Sequence, residues 1–449
     1  MQIFTLVTDT FGGHGGIAKF NRDLLTALCA APGVTRVVAL PRLLPGPPES
    51  LPEKLEFNTR GVGGKLRYAV AVLRSAIRHS RSSIIICGHI NLLPLAFLAR
   101  MMVQRLSSSF RPALVLVIHG IDAWQPTRSW LTNRLARQVD VVVAVSEFTR
   151  QRFWNWAPPK SARSYILPNC VDLARFTPGP KNPALQDRYG LRGRTVLLTV
   201  ARLSAAERYK GIDQVLEILP VLAKEIPNLA YLIVGNGDDR FRLMEKARSL
   251  GLRVSVATEA IPSPPRTGRE FADPRFAPCT PEPERGCVAD QPQQLGRCCD
   301  WLSAQSRSGS WEGQGEVSNS ISIRRPSGST SPDPAAHVIF AGHIPESEKV
   351  DHYRLADAFV MPGWGEGFGI VYLEAMACGV PVLASKLDAS QEAVRHGELG
   401  VLVDPKKPEE LQAGIRAVLQ WDRAGLVAGV EYFAHARFVS RCHHILAQI

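Results

Sequence analysis

The sequence lacks any paired cysteine motif: its nine cysteines include no C-x-x-C and no zinc-ligand spacing. An odd number of cysteines without a disulfide framework is typical of a reducing compartment. The opening residues, MQIFTLVTDT, contain no basic residue, whereas a secretory signal starts with a basic region. We therefore expect a cytoplasmic protein without a secretory signal.

Long hydrophobic runs are also absent. The longest stretch without Asp, Glu, Lys or Arg is 82–99, and its centre contains Gly88, His89, Asn91 and Pro94. A membrane-spanning helix needs about 20 mostly apolar residues. We interpret this stretch as a buried strand, a turn and a helix, and we predict no transmembrane helix.

What the chain does contain is ordinary for a globular protein. Its 449 residues are 45% hydrophobic and 21% charged, which excludes a fully disordered, collagen-like or multi-span membrane chain. This length suggests two or three domains, each large enough to bury its own core.

The net charge of the chain is +12, and its positive charge is concentrated in the N-terminal part. Residues 1–180 hold 22 Lys and Arg against 9 Asp and Glu, so they account for the whole basic excess. A basic surface can attract nucleic acid, an anionic membrane or a phosphate-rich substrate. The sequence has no recognised nucleic-acid module and no interleaved aromatic and basic residues, so we expect no nucleic-acid partner.

Short apolar, β-branched runs alternate with helical patterns from Ile3–Val7 to Val380–Ala384. Continuous apolar runs are typical of strands covered on both faces, and their alternation with helices predicts parallel sheets. The runs fall into two groups, one before residue 175 and one after residue 190. The predicted fold class is α/β, with two Rossmann-like, doubly wound parallel-sheet domains facing a cleft.

The domain boundaries follow from composition. The Pro- and Gly-rich stretch 176–190 is predicted to be a linker between an N-terminal domain, 1–175, and a C-terminal domain, 191–425. The last residues, 426–449, are predicted to form a helix that packs back towards the N-terminal domain.

Residues 253–336 interrupt the pattern, with 11 of the 33 prolines, nine Arg and no Lys. A structureless stretch of about 80 residues is unusual inside a compact domain. Two interpretations are open: a disordered insertion, or a segment of a GC-rich gene read in the wrong frame. Abundant tryptic peptides from this segment in the expressed protein would exclude the frame error.

Two loops that follow predicted strands suit phosphate binding. The glycine-rich turn Gly12–Gly16 precedes a helix and could bring backbone N–H groups to a phosphate, although such turns also occur without a ligand. The second loop carries Arg202 and Lys210, with Glu207 and Arg208 between them. An arginine and a lysine at the end of a strand can neutralise a diphosphate, but solvated surface cations are also common.

The most specific signal is the segment from Glu366 to Glu374. Its two carboxylates flank a glycine-rich turn and the start of a helix. His119 lies at the carboxyl end of another predicted strand, the edge at which ligands bind in open α/β sheets. This histidine could instead satisfy loop carbonyl groups.

Together these motifs resemble the retaining glycosyltransferases of family 4, of the bacterial polysaccharide-assembly type, which have the GT-B fold. The resemblance covers nearly the whole chain except 253–336. The matching segments are GGHGGIAKF (12–20), HGIDAW (119–124), VAVSEFTR (143–150), ILPNCVD (166–172), ARLSAAERYKG (201–211), LIVGNGDD (232–239), VIFAGHI (338–344), EGFGIVYLE (366–374) and VPVLAS (380–385).

The resemblance implies a role for each motif. Catalytic positions would be His119, against the sugar at the reaction centre, and Glu366, which would hold the donor sugar. The remaining implied positions are Arg202 and Lys210 on the donor diphosphate, Gly15 and Gly16 near the phosphates and acceptor, Gly367, Phe368, Gly369 and Ile370 on the sugar and distal phosphate, and Glu374 on the ribose. The resemblance implies no metal and no cofactor, with the nucleotide sugar as co-substrate.

The reaction implied by the resemblance is sugar transfer with retention. The donor would be a nucleotide sugar of the GDP-mannose or UDP-glucose type, bound by 191–425. The acceptor would be a lipid-linked or other glycan in exopolysaccharide or cell-surface glycan synthesis, bound by 1–175. Two alternatives stay open: a GT-B nucleotide-sugar epimerase or hydrolase, and a non-catalytic protein that binds membranes or polyanions.

A basic amphipathic helix is predicted over 65–81, with Leu66, Val70, Leu73 and Ile77 in an apolar stripe and several arginines outside it. Such a helix can lie on anionic lipid or pack its stripe on the sheet. Because family members often act on lipid-linked acceptors, we expect the basic N-terminal domain to bind the inner face of the cell membrane peripherally.

Overall fold

Two parallel sheets organise the protein into two α/β domains. The computed structural model describes residues 1–48, 50–106, 111–158, 163–257 and 336–449. Within these residues each sheet has seven strands, all pairs being parallel. The predicted fold class, two Rossmann-like parallel-sheet domains, is confirmed.

Most strands of the first sheet are short runs of buried apolar residues. Its strands are β1 (Gln2–Val7), β2 (Arg36–Pro41), β3 (Leu55–Phe57), β4 (Ile84–Cys87), β5 (Ala113–Ile118), β6 (Val141–Ala144) and β7 (Arg163–Ile166). They pair in the order β3-β2-β1-β4-β5-β6-β7. The helices of this domain are α1 (Gly16–Ala30), α2 (Lys65–Arg78), α3 (Leu93–Leu106), α4 (Trp130–Ala136) and α5 (Glu147–Trp154).

The apolar stretch 82–99 is part of this domain. It consists of β4, a 3-10 turn at Ile90–Leu92 and the first half of α3, so its interpretation as strand, turn and helix is confirmed. None of the helices in the described ranges is long and apolar enough to cross a membrane.

The predicted linker 176–190 is not irregular throughout, because it contains helix α6 (Pro183–Tyr189). The Asn182 side chain accepts the backbone N–H groups of the first turn, and Gly190 ends the helix in the left-handed conformation. Leu185 and Tyr189 are buried. Pro at the first helical position and Gly just after the last are ordinary helix signals, so the sequence could have predicted this helix.

The second sheet supplies the other side of the cleft. Its strands are β8 (Thr195–Val200), β9 (Leu229–Val234), β10 (Arg253–Val256), β11 (His337–Gly342), β12 (Ala358–Val360), β13 (Val382–Ser385) and β14 (Val401–Val403). They pair in the order β10-β11-β9-β8-β12-β13-β14. Its helices are α7 (Ile212–Glu225), α8 (Arg240–Ser249), α9 (Lys349–Arg354), α10 (Ile370–Ala377), α11 (Ser390–Ala393) and α12 (Pro408–Leu419).

The interruption predicted at 253–336 starts too early. Residues Arg253–Val256 form the edge strand β10, which pairs in parallel with β11, and Ala336 is buried beside it. An edge strand needs only one partner and can be short, which explains why its sequence shows so little pattern. The rest of the predicted insertion, 258–335, lies outside the described residues.

The C-terminal residues return to the first domain. After α13 (Leu426–Val430), helix α14 (His435–Gln448) packs against α1. Phe438 meets Phe20 edge to face at 5.7 Å, and His443 lies 2.9 Å from the carbonyl oxygen of Ala27. Helix α14 therefore ties the end of the chain to the N-terminal domain.

Candidate active site

Two loops from different domains meet at Gly367, at the carboxyl ends of the strands. A Cβ atom added to Gly367 would lie 2.0 Å from the carbonyl oxygen of His119 and 2.7 Å from Cα of Gly120. The hydroxyl of Ser146, which follows β6, donates to the carbonyl of Gly367 at 2.9 Å. Only glycine permits this approach, so the loop of the E-x7-E segment lies directly against the His119 loop.

A carboxylate from the second domain caps a helix of the first. The Glu392 side chain accepts the backbone N–H groups of Glu147 at 2.8 Å and Phe148 at 2.7 Å. These groups belong to the first turn of α5, where unpaired N–H donors and the helix dipole favour a negative charge. Glu392 therefore stabilises the contact between the domains beside the cleft.

His119 is held in one orientation and in its neutral form. Its Nε2 lies 2.9 Å from the carbonyl oxygen of Gly88; because a carbonyl only accepts, Nε2 carries the proton. The ring meets Phe20 edge to face at 5.1 Å. Burial lowers the pKa of His119 to about 4, although the Gly88 hydrogen bond opposes this shift. The remaining nitrogen, Nδ1, is an acceptor at neutral pH.

The first turns of two helices face the same space. Gly15, with a φ of 96°, precedes α1, and a Cβ on Gly16 would lie 3.9 Å from Cδ1 of Ile370 at the start of α10. Gly369 precedes α10 with a φ of 90°. Neither glycine has a side chain to cap its helix, so backbone N–H groups of both helices are left for an anion.

Glu366 lies beside this space on a loop fixed by a second acid. Its backbone N–H donates to Asp388 at 2.9 Å, and the other oxygen of Asp388 accepts the Ser390 hydroxyl at 2.6 Å. Burial raises the pKa of Glu366; Lys210 opposes the shift, while Asp388 and Glu207 add to it. Asp388 therefore positions the backbone of Glu366, and Lys210 is near enough to act on its charge.

The two predicted diphosphate-binding cations share one carboxylate. Glu207 lies 3.1 Å from Nη2 of Arg202 and 2.8 Å from Nζ of Lys210. The side chains of Lys210 and Glu207 are only 15% and 16% exposed, whereas Arg202 is 70% exposed. The structure thus brings Arg202 and Lys210 together through an acid that lies between them in sequence.

Phe368 and Glu374 turn away from the space shared by the other predicted residues. Phe368 is buried and its ring packs against Phe433 at 5.6 Å, so only its backbone is free to meet a ligand. Glu374 is 3% exposed, and its carboxylate is paired with Nζ of Lys349 at 2.9 Å and the Tyr353 hydroxyl at 2.7 Å. A ribose hydroxyl would have to share an oxygen with these partners.

Replacing Lys349 with alanine is expected to lower the free energy of unfolding by about 3 kcal/mol, because it leaves the Glu374 carboxylate buried without its cation. Urea denaturation would measure this loss. Lys386→Ala is the matched control: its ion pair with Glu410 is exposed, and such pairs contribute about 1 kcal/mol or less. An equal loss in both variants would contradict the pairing.

Three positioning residues escaped the sequence interpretation: Ser146, Asp388 and Glu392. Ser146 had a signal, since a serine before a helix is a common N-cap, and its hydroxyl accepts the Thr149 N–H at 3.1 Å. Asp388 had a weaker signal. It follows a strand and lies two residues before Ser390, and an Asp side chain that bonds to the backbone two residues further on favours a turn. In the ranges that the structure describes, no group of three His, Cys, Asp or Glu side chains is arranged to hold a metal ion.

Family models match both domains. The model described as Glycosyltransferase Family 4 matches residues 14–175. The model described as Glycosyl transferases group 1 matches 184–258 and 331–424. The chain belongs to this glycosyltransferase family. The second match continues on the far side of 259–330, so the family domain is split by this segment of the sequence.

The chain is similar to mannosyltransferases of mycobacteria. It is 27% identical over 328 residues to a GDP-mannose-dependent alpha-(1-6)-phosphatidylinositol monomannoside mannosyltransferase of Mycolicibacterium smegmatis, covering 71% of this chain and 63% of that one. The corresponding Mycobacterium tuberculosis enzyme is also 27% identical, covering 73% and 64%. The chain thus spans less than two thirds of the length of these relatives. The chain is also 46% identical over 94 residues to a phosphatidyl-myo-inositol mannosyltransferase of M. tuberculosis, a match that covers 20% of this chain and 25% of that protein.

Solved GT-B glycosyltransferases share the fold. HepE of Anabaena, in complex with UDP and glucose, has a TM-score of 0.62 and 18% identity over all of both chains. The lipopolysaccharide outer core galactosyltransferase WaaB, in its apo form, has a TM-score of 0.60 and 14% identity over all of both chains. At these identities the likeness concerns architecture alone.

Proposed function

We propose that this family member transfers a sugar, with retention, from a nucleotide sugar to a lipid-linked acceptor at the inner face of the cell membrane, in exopolysaccharide or related glycan synthesis. The observation that carries this proposal is the gathering of Lys210, Glu366, His119 and two uncapped helix N-termini around one cleft. A departing nucleoside diphosphate needs this combination of fixed cations and backbone donors.

GDP-mannose is the first donor to test. The mycobacterial relatives are named for GDP-mannose and align over most of this chain. UDP-glucose is the second donor to test. The names of the same relatives also support a lipid acceptor that carries a phosphate.

The proposed reaction assigns the charges of the cleft. The bond between the anomeric carbon and the diphosphate oxygen breaks, and its electron pair stays on the diphosphate beside Arg202 and Lys210. The acceptor oxygen bonds to the anomeric carbon on the same face and gives its proton to the departing diphosphate. His119, which is neutral at physiological pH, accepts a hydrogen bond from a sugar hydroxyl at Nδ1 and so helps to orient the sugar ring.

A donor panel tests this function. Release of nucleoside diphosphate is measured from GDP-mannose, UDP-glucose and related donors, with and without membranes that carry acceptor lipids. We expect release that depends on the membranes, and a product with the anomeric configuration of the donor. Equal release without any acceptor would instead support a hydrolase, and no release from any donor would overturn the proposal.

The membrane part of the proposal rests on the exposed face of α2. The buried face of this helix consists of other residues, including Tyr68 and Val72, while Leu66, Val70 and Ile77 are 79%, 38% and 49% exposed. The predicted apolar stripe therefore faces solvent, with arginines beside it. An apolar stripe flanked by arginines fits an anionic lipid surface.

Neutralising this face should weaken membrane binding. Each arginine near an anionic surface contributes about 1 kcal/mol, so the triple variant Arg74→Gln, Arg78→Gln, Arg81→Gln should bind about 100-fold more weakly to vesicles containing 30% phosphatidylglycerol. The control removes the same charge from the other domain: Arg395→Gln, Arg416→Gln, Arg423→Gln. Equal binding by both variants in a vesicle flotation assay would refute this surface.

A further inference from the structure

We infer that Glu207 is a built-in competitor of the donor diphosphate: its carboxylate occupies the cation pair Arg202 and Lys210 until a nucleotide displaces it. The inference rests on the proposed function, in which these two cations hold the diphosphate. It adds a residue that sets how tightly the nucleotide is held and how fast it leaves.

The contacts of Glu207 are those of a bound anion. One oxygen lies 3.1 Å from the Arg202 guanidinium and the other 2.8 Å from the Lys210 ammonium. A diphosphate bridging the same two cations would place its oxygens in the same positions. The Lys210 pair is largely shielded from solvent, so it is screened less by salt than a surface ion pair.

The diphosphate and the carboxylate cannot share the site. A nucleoside diphosphate carries at least two negative charges, and like charges at contact distance repel strongly where water is partly excluded. Glu366 is also close enough to feel Glu207, so a bound phosphate would add to an already acidic neighbourhood. The carboxylate of Glu207 must therefore move away when the nucleotide binds.

This movement needs only the side chain of Glu207, because the backbone around it is held in place. Glu207 lies inside the 3-10 segment Ala205–Lys210 but departs from helical geometry, with φ −117° and ψ 26°. Its neighbour Arg208 is anchored to Asp239 at 2.7 Å, and the Glu207 N–H is bound to the carbonyl of Ser204 at 2.8 Å. With both sides of the segment fixed, the Glu207 side chain can swing out while the loop keeps its path.

This arrangement also affects release. When the sugar has been transferred, the nucleoside diphosphate remains on the cation pair, and the returning carboxylate competes for the same partners. Glu207 therefore weakens nucleotide binding and accelerates product release. Without the charge of Glu207, the nucleotide should bind more tightly and turnover should be limited by its departure.

The test is calorimetric titration of the full chain with GDP and with UDP, using Glu207→Gln, which keeps the shape and removes the charge, and Glu207→Ala as a second variant. We expect the nucleotide that binds wild type to bind both variants about tenfold more tightly, as removal of one like charge at short range predicts. Binding of the matching nucleoside, which has no phosphate, should not change. Glu225→Gln, at the far end of α7 and paired with Arg416, is the control with the same change of charge.

Lys210→Ala, titrated in parallel, distinguishes failure of the competitor role of Glu207 from failure of the proposed diphosphate site. If Glu207→Gln and Glu207→Ala bind nucleotide no more tightly than wild type while Lys210→Ala loses binding, the competitor role is overturned and the cation pair stands. If Lys210→Ala binds as wild type does, the placement of the diphosphate fails and the competitor role fails with it. Tighter binding of the nucleoside itself would also overturn the inference, because the charge of Glu207 would then not act through phosphate.

Discussion

Replacing Lys210 with alanine is expected to lower kcat/KM for sugar transfer by about 10²–10³-fold, the loss seen when one preorganised charge partner of a developing anion is removed. Lys210 is 15% exposed and lies 2.8 Å from the only acid that lies between it and Arg202 in the loop. In the proposed reaction it is therefore fixed beside the leaving diphosphate, which gains charge. A flexible surface lysine would have a far smaller effect.

The matched control for this variant is Lys224→Ala, near the other end of α7. It removes the same charge from the far end of the helix that follows Lys210, about 20 Å away at 1.5 Å per residue. Initial rates with GDP-mannose and acceptor membranes would be compared at equal protein concentration. Similar rates for Lys210→Ala and Lys224→Ala would show that the diphosphate binds elsewhere.

Glu366→Gln is expected to reduce kcat by about 10²-fold or more, because the amide keeps the shape and loses the negative charge that would hold the donor sugar in the proposed reaction. Burial raises the pKa of Glu366, so its protonated form persists to higher pH than for an ordinary glutamate. If the ionised form is active, activity should fall as the pH is lowered through this raised pKa. The acid limb of the profile should be missing in the variant.

The pH profile separates chemistry from folding. Glu398→Gln, whose partner Arg395 is on the surface, should keep both the rate and the acid limb. A Glu366→Gln variant that retains the wild-type rate would remove Glu366 from the reaction. A variant with a low rate but an unchanged acid limb would assign that limb to another group.

Local sequence patterns predicted the buried strands in the middle of each sheet better than the strands at the edges. Buried strands such as β4 and β5 have uninterrupted apolar runs, because both faces are covered. The short edge strands β3 and β14, of three residues each, have too few residues to form a pattern. The start of the insertion was misplaced for the same reason, since β10 is also at an edge.

The orientation of α2 could not be read from its periodicity. Two apolar faces compete on this helix, and the face that packs inwards includes the small residues Ala71, Ser75 and Ala76. Small side chains let α2 pack closely against α3, and the Tyr68 hydroxyl gains a partner in the carbonyl of Leu40 at 3.0 Å. The larger Leu66 and Ile77 are left outside.

The candidate site also has a part that the sequence could predict and a part that it could not. Residues on one loop, such as Glu366 and Gly369, could be grouped from sequence because a strand and a helix fix the turn between them. The contact of Glu392 with Glu147 joins residues 245 positions apart, and no local pattern encodes it. Glu207 pairs with both cations from a residue at which the loop is kinked, and no local sequence pattern predicts this kink.

The contact at Gly367 has a consequence for how the enzyme could be held in one state. A methyl group there would meet the His119 carbonyl at 2.0 Å, so the two domains would have to separate by more than about 1 Å to restore van der Waals distance. Alanine at this position would thus act as a wedge between the domains. Because glycine has only a hydrogen atom in the place of this methyl group, the two domains can approach to the distance seen here. The Gly367→Ala variant would keep the domains further apart, so that ligand binding and domain closure could be studied separately.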